Sequence, residues 1–353
     1  MPRERPLKNR VKDYRQQRGW SQDQLAQRAG ISRAAVSAIE IERLSPSVAT
    51  ALSLAAAFGC RVEDLFGPLK SAAAADWAWL PDGPSCRFWL AQSGGANRYY
   101  PVEPTAAGVV AHDGVFTNGA WRLHHTAAPE KSLVMACCDP AAALLAAAVA
   151  QSGGFRLLLL QRSSRQALDL LSRGLVDVAG IHLASARKPQ QNADAVRCLP
   201  GDGYCLLTMA RWQEVVAVSP RAPRSSIRAV VRAGLAWVGR EPGSGAQQCL
   251  EELLQGRPFP RRLAKDHRGV AEAIRCGWAD AGVCHRLVSE EAGLRFFRLR
   301  DEVYDLVYPR SLSDDPRIVA LRDVVRSRVF RGTLGELPGY DSSPAGEVLE
   351  VTG

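Results

Sequence analysis

Two adjacent thiols, Cys137-Cys138, stand just ahead of Asp139-Pro140 and an Ala/Leu-rich run that reads as a helix. A helix N-terminus makes a thiol reactive or metal-seeking, and plain apolar packing is the other reading. Two more loops sit between an apolar run and a helix: Arg162-Ser163-Ser164, and Arg240 through Gly243-Ser244-Gly245. Helix N-termini present free N–H groups and a positive dipole end, which favour anions. Gly243 and Gly245 allow the backbone to approach a ligand and the Ser244 hydroxyl can donate; without a ligand, the same loop is an ordinary turn with Ser244 as a cap. Arg162 and Arg240 would neutralise an anion or bridge parts of the chain. His182 at a strand end, His267 before a helix, and Tyr304 add polar groups that face a cleft or serve structure only. No Cys-x-x-Cys pair, nucleophile-elbow spacing or Ser/His/Asp set is apparent, so neither a metal, a cofactor nor catalysis is expected.

The elements that would position these residues alternate. Apolar runs at 133–138, 155–161 and 176–183 are separated by helical stretches to about 151 and at 164–173, the β-α-β-α-β pattern of a parallel sheet with covering helices. The pattern recurs with strands at 214–218, 235–240 and 280–284 and helices at 225–232, 244–254 and 270–276. Strands at 296–299 and 303–308 and a terminal helix at 315–330 follow. Two similar halves imply two lobes and a cleft that closes on a small ligand at the carboxyl ends of the strands. Between 85 and 102 short strands flank the turn 93–97, so 68–130 reads as a linker and small β-rich module, with Trp77, Trp79, Trp89 and Trp121 in its core or stacking on a ligand.

The first 67 residues have a different periodicity. Ser21 caps a helix with Gln24 three residues on, Gly30 turns the chain, and Ser32 caps a second helix. Leu25, Ala26 and Ala29 form the apolar face of the first, Val36 and Ile39 that of the second. A basic helix at 7–18 precedes them; Ser45-Pro46 opens another that carries Leu52, Leu54, Ala55 and Phe58 and stops at Gly59, and 62–66 is a short fifth helix. Residues 1–70 hold 12 Lys and Arg against 7 Asp and Glu, so much of the chain's net +9 lies here. A basic face suits a polyanion.

Length and composition bound the rest. A chain of 353 residues with 46% hydrophobic content supports two or three domains. Met1-Pro-Arg-Glu-Arg-Pro leads into a polar helix, so no signal peptide is expected. The longest apolar stretch, 141–150, is too short for a bilayer. Nine cysteines in a cytosolic chain are expected to be reduced. The expectation is a soluble, cytoplasmic protein.

The motif from Arg10 through Ser21-Gln22, Leu25-Ala26, Ala29-Gly30-Ile31-Ser32, Val36-Ser37, Ile39-Glu40 and Arg43 to Pro46-Ser47 and Ala55-Phe58-Gly59 resembles the Xre/Cro family of bacterial regulators. That resemblance implies a helix-turn-helix that binds double-stranded operator DNA. Ser32, Arg33, Ala34, Ser37 and Ala38 would lie at the start and outward face of the reading helix, with Gln22 and Arg43 at phosphates.

Residues 131–345 look like the type II periplasmic-binding-protein-like domain joined to certain bacterial regulators and molybdopterin-biosynthesis proteins. The likeness is carried by Asp139-Pro140, Ser164, the run from Gly174 to His182, Arg240 with Gly243-Ser244-Gly245, His267, Val270-Ala271, Gly277-Trp-Ala-Asp-Ala-Gly282, Tyr304-Asp-Leu-Val307 and Leu337-Pro-Gly-Tyr340. It implies a ligand held by Cys138, Asp139, Ser163, Ser164, His182, Arg240, Gly243, Ser244, Gly245, His267 and Tyr304. An oxyanion such as molybdate is the ligand this family suggests. Cys137-Cys138 departs from the family, where small residues are usual, and opens a thiol or soft-metal signal.

The expected architecture is therefore multidomain: an all-α helix-turn-helix at 1–67, the β-rich module at 68–130 and a two-lobed α/β domain at 131–345. The expected function is that of a ligand-responsive, homodimeric DNA-binding regulator, not an enzyme. A molybdenum-cofactor-related protein or enzyme with a DNA-binding appendage, a thiol- or soft-metal-responsive regulator, and lobes that only mediate oligomerisation are the alternatives.

Overall fold

The structure is a computed structural model that describes residues 9–60, 62–66, 76–103, 110–124, 128–185 and 187–352. The start of the expected 7–18 helix, residues 68–75 of the linker and the stretches 104–109 and 125–127 lie outside the described residues. The chain divides into two compact units, one of Met1–Ala75 with Asn118–Ala120 and one of Asp76–Thr117 with Trp121–Gly353.

The first unit holds helices α1 (Val11–Gln17), α2 (Gln22–Ala29), α3 (Arg33–Glu40), α4 (Val48–Phe58) and α5 (Val62–Phe66). Ser21 Oγ accepts from Gln24 N–H at 3.2 Å while Gln24 Oε1 accepts from Ser21 N–H at 2.8 Å, the reciprocal cap expected of that spacing. Gly30 takes a left-handed φ of 65°, where a side chain would be strained, and Ser32 caps α3. Leu25, Ala26, Ala29, Val36 and Ile39 share one core with Val11, Leu54, Ala55, Phe58 and Leu65. Two expectations are corrected. Ser47, not Ser45, caps α4, so Pro46 precedes the helix; and Leu52 points outward, leaving Ala51 and Leu54 to face the core.

The second unit opens with strands β1 (Ser85–Ser93), β2 (Ala96–Pro101), β3 (Gly114–Thr117) and β4 (Ala120–Leu123), in the order β2-β1-β3-β4. Trp77 and Trp121 pack with Phe88, Tyr99 and Phe116 on this sheet, and Trp79 meets Tyr100. Although the sequence suggests a separate module, Asp76–Thr117 belongs to the same compact unit as the α/β part. Tyr100 OH donates to Leu175 O, and Arg156 clamps Asp113 through two nitrogens at 2.6 and 2.8 Å.

The first lobe contains β5 (Ser132–Cys137), α6 (Ala142–Gly153), β6 (Arg156–Gln161), α7 (Ser164–Ser172), β7 (Val178–Ser185) and α8 (Gln191–Arg197). Strand β8 (Tyr204–Val218) leads into the second lobe: α9 (Ile227–Arg232), β9 (Trp237–Arg240), α10 (Gly245–Leu254), β10 (Leu263–Ala264), α11 (His267–Arg275), β11 (Ala281–His285) and α12 (Arg286–Glu291). Strand β12 (Arg295–Pro309) returns to the first lobe, which α13 (Pro316–Arg326), α14 (Arg328–Gly335), β13 (Tyr340–Asp341) and β14 (Val348–Val351) complete.

One sheet runs β10-β9-β11-β8-β12-β7-β5-β6, parallel within each lobe and antiparallel along β8 and β12. In β5, Leu133, Met135 and Cys137 enter one core while Val134 and Ala136 enter the other, as period-two alternation requires. Val216 and Val218 against Val215 and Ala217 repeat this in β8.

The sequence breaks β8 and β12 where the molecule does not. Residues 204–207 and 209–210 are buried on both faces and therefore show no alternation to read. The charged run Arg300-Asp301-Glu302 looks like a loop, yet β12 stays paired to β8 through it, with register shifts at Arg298/Arg300 and Tyr304/Asp305. The expected helix at 315–330 is two helices, because Ser327 takes extended backbone, ends α13 and caps α14 by accepting from Phe330 N–H.

Candidate functional site

Strand register sets the floor of the site. Trp212 faces Glu302 and Glu214 faces Arg300 across the β8–β12 pair, and because side chains alternate all four project from one face. Tyr304, two residues beyond Glu302, stacks on Trp212 with centroids 4.7 Å apart. Gly180 makes room for it, since a Cβ there would stand 2.0 Å from the Tyr304 hydroxyl. His182, next on that face of β7, meets Trp212 edge-on at 4.7 Å.

A relay of polar atoms runs through this floor. Cys138 Sγ lies 3.1 Å from His182 Nε2, and His182 Nδ1 lies 2.7 Å from Glu302 Oε2. Trp212 Nε1–H also donates to Glu302 Oε2, and Arg300 Nε–H donates to Glu302 Oε1 at 2.7 Å. Cys249 Sγ is 3.6 Å from Oε1. All but Arg300 are fully or almost fully buried.

The second lobe supplies the opposite wall. Arg240 donates through Nε and Nη2 to Glu241 and keeps Nη1 buried without a partner. His267 begins α11 and accepts the His285 N–H on Nδ1 at 3.1 Å, so a neutral ring carries its proton on Nε2, 3.8 Å from Glu214 Oε1. His285 likewise accepts on Nδ1, from Leu287 N–H. Both Glu214 oxygens, His267 Nε2, His285 Nε2 and Asp139 Oδ2 are buried without hydrogen-bond partners. Buried polar atoms are rarely left so, and each costs about 1–3 kcal/mol.

Charge follows from burial and neighbours. Burial opposes a proton on His182, but Cys138 and Glu302 outweigh it and hold its pKa well above the ordinary value. Burial also pushes Glu302 up, yet His182 and Arg300 overcome it and keep that carboxyl ionised. Glu214 has no such partner: burial first, then the charge of Glu302, push it up to about 8, so it is a neutral acid at pH 7. Burial and Arg240 push His267 well down; burial and His182 take His285 to about 3. Asp139 is pushed up to about 6 by burial, against a 2.5 Å bond from Tyr340 OH.

The structure thus brings Cys138, Asp139, Ser163, Ser164, His182, Arg240, Gly245, His267 and Tyr304 into one buried interior. Ser164 Oγ accepts the His182 N–H, and Ser244 caps α10 by accepting from Gln247 N–H. Gly245 packs on the His182 ring, where a Cβ would stand 2.7 Å from Cε1, and Gly243 packs on Arg165. Arg162 lies apart, paired with Glu103 and over Trp79. Cys137 turns into the first-lobe core.

Sequence reading misses Trp212, Glu214, Tyr340 and Glu302 as site residues; a carboxylate inside the apolar run 214–218 is the signal that could have found Glu214. A surface cavity of about 320 Å³ reaches Trp212 and Tyr340 from outside, whereas a larger apolar groove of about 580 Å³ along α6, α13 and α14 is remote from this chemistry. Among the described residues, Cys138, His182 and His267 offer ligand atoms within 4.8 Å of one another, as do His182, Glu214 and Glu302. The tautomer of His267 argues against the first set as a metal site, because Nε2–H cannot ligate.

On the first unit Arg33 is exposed and 3.7 Å from Asp23, and Ala34 and Arg43 are exposed. Ser37 and Ala38 are half-buried on α3. Gln22 donates its amide to Glu40, which also pairs with Arg15.

A family model described as a PBP superfamily domain matches residues 146–326, and a helix-turn-helix model matches residues 11–65. The chain is 27% identical over 201 residues to the uncharacterized protein YvgK of Bacillus subtilis (strain 168), covering 54% of this chain and 65% of that protein, just under two thirds of its length. Over 60 residues it is 40% identical to the uncharacterized HTH-type transcriptional regulator YgzD of the same organism, covering 17% of this chain and 91% of that one. Two solved structures are similar to it at low identity. PhnD1 from Prochlorococcus marinus in complex with methylphosphonate has a TM-score of 0.43 at 13% identity, over 63% of this chain and 93% of that one. A reduced form of OxyR from N. meningitidis has 0.41 at 12%, over 60% and 98%.

Proposed function

The chain belongs to the PBP superfamily through residues 146–326 and carries an Xre-type helix-turn-helix at 11–65; from that premise we propose a DNA-binding regulator whose two-lobed domain closes on a small molecule. The observation that carries this reading is the set of unpartnered buried polar atoms contributed by both lobes: Asp139 Oδ2 from one, Arg240 Nη1, His267 Nε2 and Glu214 from the other. Donors dominate that set, and with the N-termini of α7 and α10 beside them they suit an acceptor-rich or anionic ligand. Glu214, held neutral, can donate its O–H to a ligand oxygen and accept on its other oxygen. Molybdate fits the donors, and the O–H of neutral Glu214 adds one more.

Binding between lobes biases an open–closed equilibrium by the ligand's differential affinity for the closed state, and the helix-turn-helix is the output. We place this protein in the cytoplasm, where operator DNA is; no helix among the described residues is long and apolar enough to cross a membrane. The reading is tested by melting the full chain against oxyanions, carboxylates and amino acids. A true ligand raises the melting temperature with concentration by mass action and changes operator affinity, and Arg240→Gln abolishes both. A ligand whose effect persists in Arg240→Gln places the pocket elsewhere.

A further inference from the structure

We propose that Cys138 is a nucleophile that adds to the carbonyl carbon of a small ligand held between the lobes, with His182 as its base and Glu302 as the residue that positions His182. This rests on the reading of the cleft as a ligand site and adds a covalent step to it. Cys138 Sγ faces His182 Nε2 at 3.1 Å while Nδ1 is held by Glu302 at 2.7 Å, the arrangement in which an imidazole accepts a thiol proton. Trp212 and Arg300 fix Glu302, and Gly245 and the edge of Trp212 fix the ring.

Two donors without acceptors belong to the same buried cluster: Arg240 Nη1, whose guanidinium is within electrostatic reach of Cys138 and Glu214, and Nε2 of His267, a residue with a ring nitrogen within 4.8 Å of the sulfur. His267 is locked by the His285 N–H in the tautomer that donates, which serves an oxygen gaining negative charge and not a metal ion. That pair of donors beside a thiol–imidazole couple selects a carbonyl electrophile. The proton shared by Cys138 and His182 resides on His182 Nε2, the sulfur pair forms the C–S bond, and the C=O π pair moves to oxygen beside Arg240 and His267. The oxygen then takes the proton back from His182 to give a hemithioacetal. Nothing is oxidised or reduced, and the reverse steps return ligand and thiol.

The test follows alkylation of each cysteine of the full chain by iodoacetamide, read by peptide mass, with and without propanal. Propanal should slow modification of Cys138 and leave exposed Cys198 unaffected. His182→Gln should slow Cys138 on the order of 100-fold with no change at Cys198. Glu302→Gln should slow it as well, and Glu302→Asp should recover part of the rate, which a purely structural loss would not do. If a variant fails to fold, propanal protection in the wild-type chain decides. A Cys138 rate indifferent to His182→Gln and to propanal overturns the proposal, as does stoichiometric zinc whose removal alone unmasks Cys138. A non-covalent ligand lost in Arg240→Gln, with no propanal protection, overturns the covalent step and leaves the cleft as a ligand site.

Discussion

Arg33 is the one long donor at the outward start of α3, beside Ala34, Ser37 and Ala38, whose side chains are too short to reach far. Its ion pair with Asp23 is loose and mostly exposed, so it is worth little and leaves the guanidinium available to a guanine edge. Arg33→Ala is expected to lower operator affinity by about 1–3 kcal/mol and to relax one base preference, whereas Arg43→Ala should weaken operator and random DNA alike. Competition binding against both DNAs checks this; equal losses for Arg33→Ala contradict it. In the other unit, Ser244→Ala removes an N-cap at about 1 kcal/mol, but Gly245→Ala drives a Cβ into the His182 ring and should destabilise by about 1–3 kcal/mol. Denaturation of both variants measures the order, which reverses if Gly245 does not touch the ring. Residue types at strand ends were legible from sequence, which is why Cys138, His182, Arg240 and His267 could be nominated. Glu302 and Trp212 were not, because their role depends on a cross-strand register that no local pattern encodes.

Caps, turns and alternation made the helices of the first unit and the short parallel strands readable, since each is set by neighbours a few residues away. The long strands β8 and β12 were legible only in part, because burial on both faces erases periodicity in one and site charges imitate a loop in the other. Asp177 shows the same conflict between burial and charge away from the site. Its carboxyl accepts the Val134 N–H and is pushed from 3.8 up to about 6 by burial, with Arg317 pulling the other way. A raised folded-state value means the folded chain holds the proton more tightly, so this stabilisation is fully present below about pH 4 and is lost as the pH rises through about 6. Relative to Asp177→Asn, which keeps the acceptor for Val134, the wild-type chain is expected to lose about 2 kcal/mol between pH 4 and pH 7. Urea unfolding of both proteins across that range gives the answer; parallel pH profiles would show that Asp177 keeps an ordinary pKa.

At the scale of the molecule, a single small helix-turn-helix contacts too few bases for operator selection, so a pair acting on a pseudo-palindrome is expected. Its half-sites should lie about 10 base pairs apart or a multiple of that. Light scattering at DNA-binding concentration and footprinting check this, and a monomer that occupies a single half-site contradicts it. Ligand sensing is the central claim, and the crystal structure of the chain purified without dialysis tests it most directly. The account predicts a molecule other than water between the lobes, accepting from Arg240 Nη1 and His267 Nε2–H and lying within reach of Cys138 Sγ. Closed lobes in which those atoms bond only to one another or to water would contradict it.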